Sequence, residues 1–208
     1  MRRIIDISPP VSPALAVFPG DTPPSREVLL DMRRGDHLTL STLRSTVHVG
    51  AHLDAPSHYG ADGETIESLP LELGLGVCEV VRVDAAPRAR LAPTDLPGPP
   101  RAERLLIATG SYPDPSRFDE SFAALSPELI VWLRGFDLRL VGVDTPSVDL
   151  ADSRELPTHR ACLESGVTIL EGLVLDDVAP GLYELCALPL RLEGFDASPV
   201  RAVLRDLP

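Results

Sequence analysis

The sequence predicts an α/β fold with a strand-rich centre, on three observations. The 208 residues suit one sizeable core, so a single domain over 1–208 is expected. Short strand-like segments recur along the chain, whereas only two short stretches carry helix signals. No repeat of fixed period and no regular strand–helix alternation is present, which argues against a doubly wound sheet. Twenty-two Pro residues add a loop-rich character.

In chain order, Ile4 to Ile7 is the first predicted strand, followed by a proline-punctuated loop to Pro24 that carries Phe18-Pro19-Gly20-Asp21. Leu38 to Val49 sets Leu40, Leu43 and Val47 among hydroxyl residues and predicts a strand entering a turn at Gly50. Val77 to Val83 alternates as a strand, and Ala85 to Pro100, rich in Pro and Arg, is expected to be linker rather than core. Leu105 to Ala108 is a short buried strand ending at Thr109-Gly110-Ser111. Ser126-Pro127-Glu128 supplies a capping hydroxyl and a first-turn proline for a helix to about Arg134, before Gly135. Leu138 to Val143 is the next strand. A helix from Thr158 to Ser165 ends at Gly166, and Val167 to Leu170 follows as strand. A last strand is placed near Tyr183 to Leu190, and Gly194 to Pro199 is a loop leading to the tail.

Composition removes whole chemistries. Nineteen basic residues against thirty-one acidic ones leave a net charge of −12, and every basic residue is Arg. Without Lys there is no Schiff-base or phosphate-loop amine, and without Asn no Cys-His-Asn arrangement. The acidic balance argues against nucleic acid, whose phosphates call for clustered cations. Apolar runs such as Leu129 to Leu133 are too short to cross a bilayer, so no membrane partner is expected. Pro9, Pro10 and Pro13 interrupt any secretory h-region, and three unpaired Cys (Cys78, Cys162, Cys186) suit a reducing compartment; a cytoplasmic location is expected.

The chemistry concentrates in one segment. Three of the five His, with one Asp, fall in His48-Val-Gly-Ala-His52-Leu-Asp54-Ala-Pro-Ser-His58. Gly50 and Pro56 disfavour a helix, so the segment is expected to be extended, with 48, 50, 52 and 54 on one side. Residues two apart lie roughly 6.6 Å apart along a strand, within reach of a shared ion, whereas four apart is roughly 13 Å. Gly50 is the place for a bend that swings His48 toward His52 and Asp54. Imidazole and carboxylate together suit Zn²⁺ first, with Mn²⁺ or Fe²⁺ as alternatives, and three protein ligands leave a position for water. The default chemistry is metal-assisted hydrolysis. His58, beyond Pro56, is freer to act as general acid or base than to ligate.

Other candidates rank lower. His37 belongs to a solvated turn, Cys162 is expected as a reduced core thiol despite lying three residues after His159, and Trp132 packs on its helix. Spacing alone leaves His159 and Glu171 evenly divided between a site and a surface.

The segment from His48 to His58 resembles the H-x-G-T-H-x-D-x-P-x-H signature of the cyclase-family metal-dependent hydrolases, and within that family the bacterial kynurenine formamidases (arylformamidases). The resemblance runs almost end to end, through Asp6-Ile-Ser, Phe18-Pro-Gly-Asp-Thr-Pro23, Thr109-Gly110-Ser111, Gly142-Val-Asp-Thr-Pro-Ser147, His159, Glu171-Gly172 and Gly194-Phe-Asp-Ala-Ser-Pro199. It implies a barrel-like mixed β centre of the swivelling β/β/α type flanked by few short helices, and a homodimer. It implies hydrolysis of an aryl formamide, N-formyl-L-kynurenine, to L-kynurenine and formate, at two Zn²⁺ per subunit, with Mn²⁺ as the alternative metal. By position, His48, His52 and Asp54 would hold the first ion, Asp54 would bridge to a second held by His159 and Glu171, and His58 would be the acid/base residue. Phe18 stands where the family commonly has a substrate-packing Trp, and Ala51 replaces the Thr of the signature. The rival readings are a hydrolase of the same scaffold acting on a cyclic amide such as isatin, and a metal-binding protein without turnover.

Overall fold

The computed structural model describes residues 2–208. In chain order the strands are β1 (Ile4–Asp6), β2 (Ser25–Leu30), β3 (Leu40–Arg44), β4 (His52–Asp54), β5 (Leu75–Arg82), β6 (Arg90–Leu91), β7 (Arg104–Ala108), β8 (Ala124–Leu125), β9 (Leu140–Val143), β10 (Thr168–Glu171), β11 (Gly181–Cys186), β12 (Ala197–Pro199) and β13 (Val203–Asp206). Two α-helices interrupt them, α1 (Pro127–Arg134) after β8 and α2 (Pro157–Ser165) after β9.

Nine strands form one curled, half-barrel sheet in the order β1-β13-β11-β5-β7-β9-β10-β4-β12. The centre, β5 through β7 and β9 to β10, is parallel, and the strands on either side pair antiparallel. This is the mixed, strand-rich α/β centre that the sequence predicts. A parallel core strand is covered on both faces, which is why β7 is apolar from Leu105 to Ala108. Leu105 and Ile107 face a core with Leu129, Ile130 and Leu133 of α1 and Cys162 of α2, while Leu106 and Ala108 face a second core with Leu53, Leu170, Leu185 and Leu204. Burial of each such Leu or Ile is worth roughly 1.5–3 kcal/mol.

Both helices start and stop where their sequences direct. The Ser126 hydroxyl accepts a hydrogen bond from the Leu129 N–H at 3.1 Å ahead of Pro127, and Gly166 ends α2 at φ +64°. Among the described residues no helix is long and apolar enough to cross a membrane.

Three segments depart from the sequence reading. The expected strand over Leu38 to Val49 is only Leu40–Arg44, and it pairs with the unforeseen β2 in a separate hairpin. Leu29, Leu40 and Leu43 on that hairpin are exposed, so no buried face imposes the alternation by which a strand is recognised. The expected linker, Ala85 to Pro100, carries β6, parallel to β8, and buries Leu91 and Leu96 in the helix-side core. Its Pro and Arg content hides those two anchors. At the end, β11 stops at Cys186, and β12 and β13 lie in the segment expected as loop and tail. They are short strands fixed by distant partners, β4 and β11, and such pairing leaves no local signature.

Candidate metal centre

β4 lies between β10 and β12, with His52 opposite Glu171 on one side and Asp54 opposite Ala197 on the other. The period of two sends His52 and Asp54 to one face and Leu53 into the core behind them. Glu171 shares the face of His52. His48 joins them across a bend: Gly50 sits at φ +58°, open to glycine at little cost, and His48 Nδ1 comes to 3.2 Å from Asp54 Oδ1. Gly172, at φ +68°, abuts the Gly50 carbonyl so closely that a Cβ would collide with it. His159, in the first turn of α2, places Nε2 3.7 Å from both Asp54 Oδ2 and Glu171 Oε1. The structure therefore brings together all five residues that the resemblance implied as ligands.

Each imidazole has one nitrogen tied outward and one aimed inward. His52 Nδ1 donates to the Gly50 carbonyl at 2.8 Å, leaving Nε2 3.5 Å from Asp54 and 3.3 Å from Glu171. His159 Nδ1 donates to Asp149 at 2.9 Å, and His48 Nε2 donates to Asp196 at 2.9 Å. A second partner that fixes the tautomer is the usual support of a metal-ligating His.

The electrostatics are those of a carboxylate ringed by imidazoles. Burial alone would lift the Asp54 pKa, yet the imidazoles of His159, His48 and His52 ranged around it hold it well below the usual carboxylate range. Burial would lower the His48 pKa, but Asp54 and Asp196 outweigh it and raise it to about 9. His159 rises to about 10, burial being outweighed by Asp149, Asp54 and Glu171. His52 is likewise raised by Glu171 and Asp54 against its burial.

Metal-binding residues are tested by what they leave unsatisfied. His52 Nε2 and both Asp54 carboxylate oxygens are buried without a hydrogen-bond partner. Orphaned buried polar atoms cost stability unless something binds them. Donor atoms of His52, Asp54 and Glu171 lie within 4.8 Å of one another, as do those of His48, Asp54 and His58. The donor set, imidazole plus carboxylate with nothing softer, fits a borderline divalent cation.

His58 follows Pro56 in a 3₁₀ turn, Pro56–His58, and reaches the cavity beside the cluster. Its ring centroid lies 4.1 Å from that of His48, and Nδ1 is 3.3 Å from Asp196 Oδ2. Burial, joined by the charge of His48, lowers its pKa against the opposing pull of Asp54. Phe18 lines the same cavity, with its ring edge-on to Phe118 at 4.9 Å. His37 is exposed, Cys162 is buried in the helix-side core, and Trp132 packs against that core beside Phe136.

Residue-type reasoning missed three supporting side chains. Asp149 is buried, held to about pKa 2 against its burial by His159 and Arg90, and accepts from Arg90 Nη1 at 2.9 Å. Arg90 comes from the expected linker. Asp196 lies within Gly194 to Pro199, where the motif itself was the available signal, and its position just before β12 sets it beside the signature segment: its carbonyl accepts from the Ala55 N–H at 2.9 Å.

The cavity over this cluster measures about 450 Å³ and is lined in part by Leu15, Phe18, Tyr112 and Phe118. Residues 5–150 match the family model described as "Putative cyclase". A solved structure of a potential metal-dependent hydrolase with cyclase activity is 27% identical, with a TM-score of 0.86 and 100% of each chain covered. A metal-dependent hydrolase, so designated on prediction, from Bacillus stearothermophilus is 28% identical, with a TM-score of 0.84 and the same full coverage. Isatin hydrolase A from Labrenzia aggregata, bound to benzyl benzoate, shares the fold at 22% identity and a TM-score of 0.82, with 100% of this chain and 94% of that one covered. With the family model spanning most of the chain and the sheet matched from end to end, this protein belongs to the cyclase family.

Proposed function

We propose that the protein is a metal-dependent amide hydrolase that cleaves an aryl formamide, N-formyl-L-kynurenine, to L-kynurenine and formate. One observation carries the metal dependence: three buried donor atoms, His52 Nε2 and both Asp54 oxygens, stand unpartnered at the focus of His48, His159 and Glu171. His48, His52 and Asp54 would hold one cation, and Asp54, His159 and Glu171 a second, with Zn²⁺ the favoured ion and Mn²⁺ the alternative. When bound, such a cation polarises a carbonyl and lowers the pKa of water toward neutrality.

The chain's own residues do the rest. The wall of Leu15, Phe18, Tyr112 and Phe118 packs the aryl ring and excludes water from one side of the cavity. Asp196 orients His58 through Nδ1, leaving Nε2 to hand a proton to the departing nitrogen. An aniline nitrogen is a weak base, so its departure asks less of that proton than an alkyl amine would.

A cyclic amide such as isatin is the second reading, favoured by the apolar and aromatic lining of Leu15, Phe18, Tyr112 and Phe118 and by the isatin hydrolase of the same fold. The deciding experiment assays formate release from N-formyl-L-kynurenine beside ring opening of isatin on metal-loaded protein. Turnover of isatin alone would overturn the linear-amide assignment, and bound metal without turnover of either would leave a binding protein.

We also propose that the protein works as a homodimer in a reducing cytoplasm. The β2–β3 hairpin supports the first part, because an isolated two-stranded ribbon with Leu29, Leu40 and Leu43 exposed is marginal in water unless something covers it. The free thiols Cys78, Cys162 and Cys186 support the second.

A further inference from the structure

The cavity over the metal centre has a one-sided charge. Part of its lining is apolar and aromatic, yet every charged side chain that lines it apart from the His residues is a carboxylate: Asp21, Asp144, Asp176 and Asp196, beside Glu171 of the centre. No Arg is among the described residues lining it, and the sequence contains no Lys to reach in from elsewhere in the chain.

These carboxylates differ in how far they are spoken for. Glu171 belongs to the ligand cluster, and Asp196 is paired with His48 and His58. Asp144 is buried and accepts hydrogen bonds from the Thr109 hydroxyl and the N–H groups of Thr109 and Gly110 at 2.6, 2.8 and 2.9 Å. Asp21 and Asp176 are exposed and form no ion pair among the described residues. A second anion entering beside them, away from the cations proposed for the centre, would meet like charge at the rim and no Arg among the described residues lining the cavity, and like-charge juxtaposition is one means by which a site rejects a wrong ligand.

Resting on the amide-hydrolase reading, we infer that this site selects substrates whose part remote from the scissile bond carries no net negative charge. Uncharged aryl amides and zwitterions, whose ammonium faces Asp21 or Asp176, are accepted; a lone remote carboxylate is rejected. N-formyl-L-kynurenine satisfies the rule because its ammonium offsets its carboxylate.

The test compares three compounds on metal-loaded protein that share one formanilide and one aryl ketone ortho to it. They are N-formyl-L-kynurenine, its deamino analogue 4-(2-formamidophenyl)-4-oxobutanoate, and the methyl ester of that analogue. The reacting bond is the same in all three, so its intrinsic reactivity is nearly constant. The ester and the zwitterion are expected to agree in kcat/KM within a few-fold, with the deamino acid lower by about tenfold at low salt. The gap should narrow as ionic strength screens the rim, and narrow again in the Asp21→Asn, Asp176→Asn double variant. Equal or faster turnover of the deamino acid overturns the inference. If no formamide is cleaved but isatin is, the linear-amide reading fails by itself, and the same charge rule is then tested between isatin-5-carboxylate and its methyl ester, equal rates overturning it. If neither class is cleaved, both fall together.

Discussion

Asp149 accepts the Nδ1 proton of His159 at 2.9 Å with both side chains buried, and that bond decides which imidazole nitrogen faces Asp54 and Glu171. Asp149 also takes the N–H groups of Thr158 and His159 and the guanidinium of Arg90, so the carboxylate is saturated and immobile. Asp149→Asn keeps the shape but weakens the acceptor and invites the wrong tautomer. Metal affinity is expected to fall about 10- to 100-fold, measured by competition with a chromogenic chelator, with a smaller fall for Arg90→Ala.

Replacing His52 and His58 separates ligation from proton transfer. His52→Ala removes a buried ligand candidate and is expected to lose metal and activity together. His58→Ala, at the cavity edge, is expected to keep most of the metal and lose about 10²- to 10⁴-fold in turnover. Metal analysis by mass spectrometry beside the formate assay reads both, and equal metal loss would make His58 a ligand.

Metal uptake is expected to release protons. In the metal-free protein His48 and His159 titrate near 9 and 10, so both are charged at pH 7 and must give up a proton to offer a lone pair. Calorimetry in buffers of differing ionisation heat is expected to find at least about two protons released per chain at pH 7, since His52 is raised as well, and fewer toward pH 10, with affinity rising over that interval. The sign for folding is the reverse. A raised imidazole pKa stabilises the metal-free protein below the unfolded value of 6.5, and that contribution is lost as pH rises through 9 to 10.

The thiols are expected to differ in reactivity. Burial pushes Cys78 up to about 12 and Cys162 also upward, so neither offers appreciable thiolate at pH 8. Cys186 is only half-buried. Iodoacetamide at pH 8 should label Cys186 in the native protein, and Cys78 and Cys162 only after denaturation, as read by intact mass.

Much of this was legible because the chemistry is local. His48, His52, Asp54 and His58 share eleven residues, and Gly50 announced the bend that the backbone makes there. The helix ends were equally plain, since Ser126-Pro127 and Gly166 act through their own backbone. What escaped was whatever depends on distant partners. Glu171 is a ligand candidate only because β10 pairs with β4, and residue spacing could not rank it above a surface carboxylate. Asp149 and Arg90 were silent for the same reason: an Asp and an Arg in polar surroundings look solvated until the fold closes over them.

β4 is three residues long, yet it carries two ligand candidates and, among the described residues, is the only strand that joins β12 to the rest of the sheet. So short a ladder holds weakly, and the negative charges of Asp54 and Glu171 push against each other across it. A cation held between them would act as a rivet, tying residues 48–54, 159 and 171 into one unit. At a free concentration a thousand times its dissociation constant it would add about 4.1 kcal/mol to the folded state. The edge of the sheet and the reaction centre are then one mechanical element, and the chain that loses its metal is expected to fray first at β12.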